Sequence, residues 1–120
     1  MAVILIVEDD LFIREVADMM IQDLDHLTIL ASDVGEALVL LKSPQRIDAL
    51  FTDIYLKTEV LGGCDLASQA MMLRPSLRVL YTTGNSVTDQ MRELFVKGTR
   101  CLNKPYTQHQ LQSSVEHLLA

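Results

Sequence analysis

The sequence predicts an α/β fold: a doubly wound, parallel five-stranded sheet with helices on both faces. Short apolar runs of strand length alternate five times with segments whose apolar residues recur at helical spacing. Such alternation implies parallel strands, right-handed crossovers and a sheet covered on both sides. A further observation marks one edge of that sheet. Acids end the first and third runs, and in an open α/β sheet the ligand crevice lies outside the carboxyl ends of the strands.

The first run, Val3 to Val7, is followed by Ile13, Val16, Ala17, Met20, Ile21 and Leu24, spaced as one helix face. The second run, Leu27 to Ala31, leads to Val34, Ala37, Leu38 and Leu41, with Ser32 or Asp33 as the cap and Ser43-Pro44 as the stop. Ile47 to Phe51 leads through a long loop to Leu66, Ala67, Ala70 and Met71, a helix that Pro75 terminates. Leu77 to Tyr81 leads through Thr83-Gly84 to Val87, Met91, Leu94 and Phe95, with Gly98 as the C-terminal cap. A short strand at Arg100 to Leu102 and a helix carrying Leu111, Val115, Leu118 and Leu119 complete the chain. Met19, Met20, Met71 and Met72 read as core filler and helix surface. Five such units fit the flavodoxin-like order of known doubly wound folds, 2-1-3-4-5. It sets strands one and three side by side, so that Asp9 and Asp53 meet.

Glu8 and Asp9 close the first run and Asp53 closes the third. At an effective dielectric near 20, two like charges about 4 Å apart cost roughly 4 kcal/mol. Such a cluster favours a cation or a proton. Oxygen-only anionic ligands suit a hard ion, so Mg²⁺ is expected, with Mn²⁺ able to replace it. The competing structural reading makes Asp10 an N-cap, Glu8 and Asp9 helix-start acids, and Asp53 a strand-end turn. Two acidic strand ends together with a basic partner favour the metal site. Strand four stops at Thr82-Thr83-Gly84, offering hydroxyls beside a flexible backbone, and strand five stops at Lys104-Pro105. A lysine delivered to an acidic crevice pairs with a carboxylate or holds a phosphoryl group.

A chain of 120 residues has room for one core, so 1–120 is expected to form a single domain with no second unit. The 16 acidic and 10 basic side chains give a net charge of −6, which disfavours nucleic acid. Cys64 and Cys101 stand far apart in no metal or redox spacing and read as buried free thiols. His26, His109 and His117 show no metal spacing either and read as helix-surface residues. No leader pattern and no run near the roughly 20 residues of a membrane span is present, so a cytoplasmic, membrane-free protein is expected.

With these residues in view, the chain resembles a response-regulator receiver domain of two-component signalling over essentially its whole length. The marks are Val7-Glu8-Asp9-Asp10, Thr52-Asp53-Ile54, Thr83-Gly84 and Lys104-Pro105. The resemblance implies that Asp53 accepts a phosphoryl group from the phosphohistidine of a histidine kinase or phosphotransfer protein. It also implies that Asp9 and Asp53 bind Mg²⁺ directly, that the Tyr55 carbonyl is a further ligand, and that Glu8 acts through water. Thr83 would engage the phosphoryl oxygen and Lys104 would pair with it. The output would be a phosphorylation-dependent contact with a downstream protein through helix four, strand five and helix five. The protein would be a stand-alone receiver without an output domain, a signalling protein that promotes only its own phosphorylation and dephosphorylation.

The sequence departs from the family in places. Lys57 stands where a proline is usual, before a loop about two residues longer that ends at Gly62-Gly63. Cys101 stands where the family places a switch aromatic, three residues before the lysine. Tyr81-Thr82-Thr83-Gly84 partly resembles a subgroup with a Phe-Ala-Thr-Gly-hydrophobic-Tyr motif, but Asn85-Ser86 does not match its ending. Among alternatives, a receiver-like interaction module working without phosphorylation conflicts with the intact Asp9, Asp53, Thr83 and Lys104. A Mg²⁺-dependent aspartyl phosphohydrolase wants a second Asp two residues after the first, where Tyr55 stands. A dinucleotide-binding domain lacks its glycine motif after strand one.

Overall fold

The computed structural model describes residues 1–56 and 61–120. Lys57 and the longer loop before Gly62 lie outside the described residues. The elements run β1 (Val3–Val7), α1 (Leu11–Gln22), β2 (Leu27–Ala31), α2 (Val34–Lys42), β3 (Ala49–Asp53), α3 (Gly62–Leu73), β4 (Arg78–Thr83), α4 (Asp89–Glu93), β5 (Arg100–Asn103) and α5 (Gln108–Leu119). All pairings are parallel and the sheet order is β2-β1-β3-β4-β5, the flavodoxin-like order expected.

Period-two alternation splits the strands between two cores. Leu5, Val7, Leu50, Val79 and Tyr81 pack on one face with Val34, Ala37 and Leu41 of α2, with Leu66, Ala67 and Ala70 of α3 and with Met91. Ile4, Ile6, Ala49, Phe51 and Leu80 pack on the other with Ala17 and Ile21 of α1 and Leu111 and Val115 of α5. Every residue of β1 and β3 is buried, as central parallel strands require, whereas the edge strands β2 and β5 are half-covered.

Local chemistry sets most helix boundaries. Asp10 caps α1 by accepting from the Ile13 N–H at 3.0 Å, and Asp33, not Ser32, caps α2 by accepting from Glu36 at 2.7 Å. Thr107 and Gln110 form a reciprocal capping box on α5. Helix α3 ends at Leu73, because Arg74 precedes Pro75 and leaves the helical region at φ -138, ψ 86.

Several expectations need correction, among them β4, which starts at Arg78 rather than Leu77, and β5, which runs on to Asn103. Strand β3 starts at Ala49 rather than Ile47 and includes Asp53, and β4 continues through Thr83, because the ladder carries on past the apolar run: Asp53 pairs with Thr82. Helix α4 stops at Glu93, so Leu94 and Phe95 lie beyond it. Gly98 does not cap that helix; at φ +80 it sits in a turn closed by the Thr99 N–H on the Val96 carbonyl. His26 lies between α1 and β2, half-buried, where Nδ1 accepts from the Ala2 N–H, while His109 and His117 are exposed on α5.

An acidic site at the carboxyl ends of the strands

The ends of β1, β3, β4 and β5 bring the predicted residues to one edge of the sheet. Because β1 lies beside β3, with Val7 opposite Thr52, the residues that follow Val7 face the end of β3. Carboxylate oxygens of Glu8, Asp9 and Asp53 all lie within 4.8 Å of one another. Lys104, which follows β5 and precedes Pro105 in a cis peptide, donates from Nζ to Asp53 Oδ2 at 2.9 Å and to Glu8 Oε1.

Each acid is tied down differently. Asp53 is 7% exposed, and its Oδ1 accepts from the Tyr55 N–H at 3.3 Å. Glu8 is 4% exposed; its Oε2 accepts from the Asp10 N–H at 3.1 Å, and its carbonyl accepts from Arg14 Nη1, which ties the site to α1. Burial raises the Glu8 carboxyl above the usual carboxylate range, and the hydrogen bond to Asp9 adds to it. The Lys104 ammonium and the Asp10 N–H offset this only in part. Lys104 also loses water by burial, which works against its charge, yet the Glu8 and Asp53 carboxylates outweigh this and hold its pKa above the ordinary lysine value.

Three carboxylates against one ammonium leave the cluster anionic. An all-oxygen donor set of that charge fits a hard divalent cation, Mg²⁺ or Mn²⁺. Thr83, the last residue of β4, is fully buried. Its Oγ1 accepts from the Asn85 N–H at 3.1 Å and its carbonyl accepts from the Lys104 N–H at 2.8 Å, so it sits between the β4 end and the lysine turn. Cys101 is half-buried on β5 opposite Tyr81, and burial pushes its thiol up to about 11. Of the two cysteines only Cys64 is fully buried.

One residue of the site, Gly63, had no role assigned from the sequence. Gly63 opens α3 against the carboxyl end of β3: its N–H donates to the Ile54 carbonyl at 3.0 Å, and a Cβ there would lie 1.9 Å from the Asp53 carbonyl oxygen. The Gly62-Gly63 pair was the only signal. Thr82 lines a small cavity with Glu8 and Lys104, and its buried hydroxyl has no hydrogen-bond partner among the described residues.

Comparison with known proteins agrees with this geometry. The model of the response regulator receiver domain matches residues 4–116. A response regulator receiver protein from Sinorhizobium medicae superposes with a TM-score of 0.89 at 26% identity, covering 98% of this chain and 94% of that one. The chemotaxis protein CheY4 of Vibrio cholerae gives 0.85 at 23%, covering 98% of each chain. A CheY-like receiver domain protein from Methanospirillum hungatei gives 0.83 at 21%, over 98% of this chain and 92% of that one. At those last two identities the likeness concerns the fold. The chain belongs to the response regulator receiver domain family.

Proposed function

We propose that this receiver domain accepts a phosphoryl group on Asp53 in a two-component phosphorelay and signals through phosphorylation-dependent protein contacts. The observation that carries the reading is the convergence of Glu8, Asp9 and Asp53 within 4.8 Å, with Lys104 bridging two of them. A structural ion pair needs one acid for one base. Three acids around one lysine are an unbalanced arrangement that becomes balanced when a divalent cation joins it.

In the proposed reaction a carboxylate oxygen of Asp53 attacks phosphorus in line, the bond from phosphorus to the donor histidine nitrogen breaks, and an acyl phosphate forms. Asp9 and Asp53, the Tyr55 carbonyl, and Glu8 through water would hold Mg²⁺, which supplies charge neutralisation for the phosphoryl oxygens. Lys104 holds the Asp53 carboxylate in place before transfer and pairs with the phosphoryl group afterwards. Thr83 then exchanges its Asn85 N–H for a phosphoryl oxygen, to which its hydroxyl donates, and this biases a two-state equilibrium of the α4-β5-α5 face toward its downstream partner. The cluster of Glu8, Asp9 and Asp53 with Lys104 argues against an interaction module working without phosphorylation.

Asp9→Ala removes one ligand and part of the repulsion that makes a cation favourable. Calorimetry is expected to show Mg²⁺ affinity lowered by roughly tenfold or more, and unchanged affinity would reject Asp9 as a ligand.

The donor side of the exchange has a candidate surface. Leu11 and Phe12, 60% and 76% exposed, stand with Val16 and Met19 on α1, and Phe12, Ile13, Val16 and Met20 form a groove of about 370 Å³ with Lys104, Pro105 and Tyr106. A protein presenting phosphohistidine to Asp53 has to cover this rim. Phe12→Asp is therefore expected to slow transfer from a phosphotransfer protein by roughly tenfold while leaving phosphorylation by acetyl phosphate unaltered. Equal slowing with both donors would mean that the substitution damages the site itself.

A further inference from the structure

Helix α4 is held to the protein by very little. It is five residues long, and Met91 is the one residue of it that is buried. The Met91 sulfur accepts a hydrogen bond from the Tyr55 hydroxyl at 3.5 Å. Tyr55 is the second residue after Asp53, and its N–H donates to Asp53 Oδ1. A single residue thus touches the acidic site with its backbone and the helix with its side chain. Beyond the helix a second tyrosine takes over. The ring of Tyr81, fully buried, lies 4.4 Å from that of Phe95, and its hydroxyl accepts from the Val96 N–H at 3.0 Å. Tyr81 also stands opposite Cys101, where the side chain is small.

We infer that Tyr55 is a positioning residue that couples the state of Asp53 to α4 through Met91, with Tyr81 as the fixed pivot behind the helix. The inference deepens the proposed function and rests on Asp53 being the phosphoacceptor. A phosphoryl group changes the charge and bulk of the carboxylate that the Tyr55 N–H faces, so the peptide at Tyr55 has to readjust. The ring moves with its backbone, and the soft contact to sulfur passes the shift to a helix with no second buried side chain to resist it. The Tyr81 links act on residues that do not face Asp53, so Phe95 and Val96 stay in place and α4 turns about them. Coupling is reciprocal: a partner that fixes Met91 in its shifted position favours phosphorylated Asp53 to the same degree.

The test uses the full chain with Mg²⁺ and beryllofluoride as the phosphoryl mimic, read by backbone amide shifts in wild type, Tyr55→Phe, Met91→Leu and the double variant. In wild type the amides of Asp53 to Tyr55 and of Met91 to Glu93 are expected to shift together. In Tyr55→Phe, which keeps the ring and the backbone carbonyl and loses only the hydroxyl, the α4 response measured relative to the site response falls about twofold or more; Met91→Leu does the same, and the double variant loses no more than either single one. An undiminished α4 response in Tyr55→Phe, or losses that simply add, overturns the coupling. Absence of the site shift in wild type itself overturns the phosphoacceptor reading and this inference with it, and the site amides tell that failure apart from the first.

Discussion

Gly63→Ala is expected to destabilise the protein by about 3 kcal/mol, the upper end for overpacking. The added Cβ would stand 1.9 Å from the Asp53 carbonyl oxygen, 2.8 Å from its carbonyl carbon and 2.9 Å from Ile54 Cα. All three are backbone atoms at the end of a central strand, so no flexible side chain is available to give way. Either α3 moves outward or β3 is displaced, and both carry the Asp53 carboxylate away from Lys104. Gly84→Ala is the control, since nothing lies within 4 Å of a Cβ there. Urea unfolding is expected to show a much lower midpoint for Gly63→Ala with the slope unchanged, and a midpoint within error of wild type for Gly84→Ala. Equal midpoints for the two variants would contradict the close approach.

Lys104→Ala leaves Glu8, Asp9 and Asp53 without the ammonium that bridges two of them. Breaking a buried pair by removing one partner costs about 3 kcal/mol or more, because the other charge stays behind. That loss is expected at neutral pH in the absence of divalent ions. Since the Glu8 carboxyl lies above its unfolded value even with Lys104 present, the folded state takes up a proton more readily than the unfolded chain. The strain from ionised Glu8 therefore sets in as pH rises from the ordinary carboxylate range through the raised value, and it is relieved as pH falls through the same window. The deficit of Lys104→Ala should shrink on acidification and on addition of Mg²⁺. In wild type the pair works in the opposite sense at the alkaline end: Lys104, held above its ordinary value, contributes stability that is present at neutral pH and lost as pH rises through that raised value. Thermal unfolding of both proteins across pH, with and without Mg²⁺, checks this, and a deficit indifferent to both would show that the three acids do not repel one another.

The strand ends made most of the site legible. Glu8, Asp9 and Asp53 follow apolar runs, and the parallel order converts those separate sequence positions into one cluster. Strand boundaries were less visible, because the polar Thr52, Asp53, Thr82 and Thr83 end the hydrophobic signal while backbone pairing continues to the site. The apolar spacing of Val87, Met91, Leu94 and Phe95 suggested a longer fourth helix. Leu94 is 49% exposed, however, and Phe95 is drawn onto Tyr81 instead of continuing the turn. The approach of Gly63 to β3 and the contact of Tyr55 with Met91 are tertiary, and such approaches leave no periodic mark in a sequence. Cys101 reads as the loss of an aromatic until the register places Tyr81 opposite it.

The most direct test of the central claim is intact mass after incubation with Mg²⁺ and acetyl phosphate, run on wild type and Asp53→Asn with and without a chelator. Wild type is expected to gain a single phosphoryl group that the chelator prevents, and Asp53→Asn to gain none. A phosphoryl adduct on Asp53→Asn, or a wild type that stays unmodified with Mg²⁺ present, would contradict the assignment of Asp53 as the phosphoacceptor.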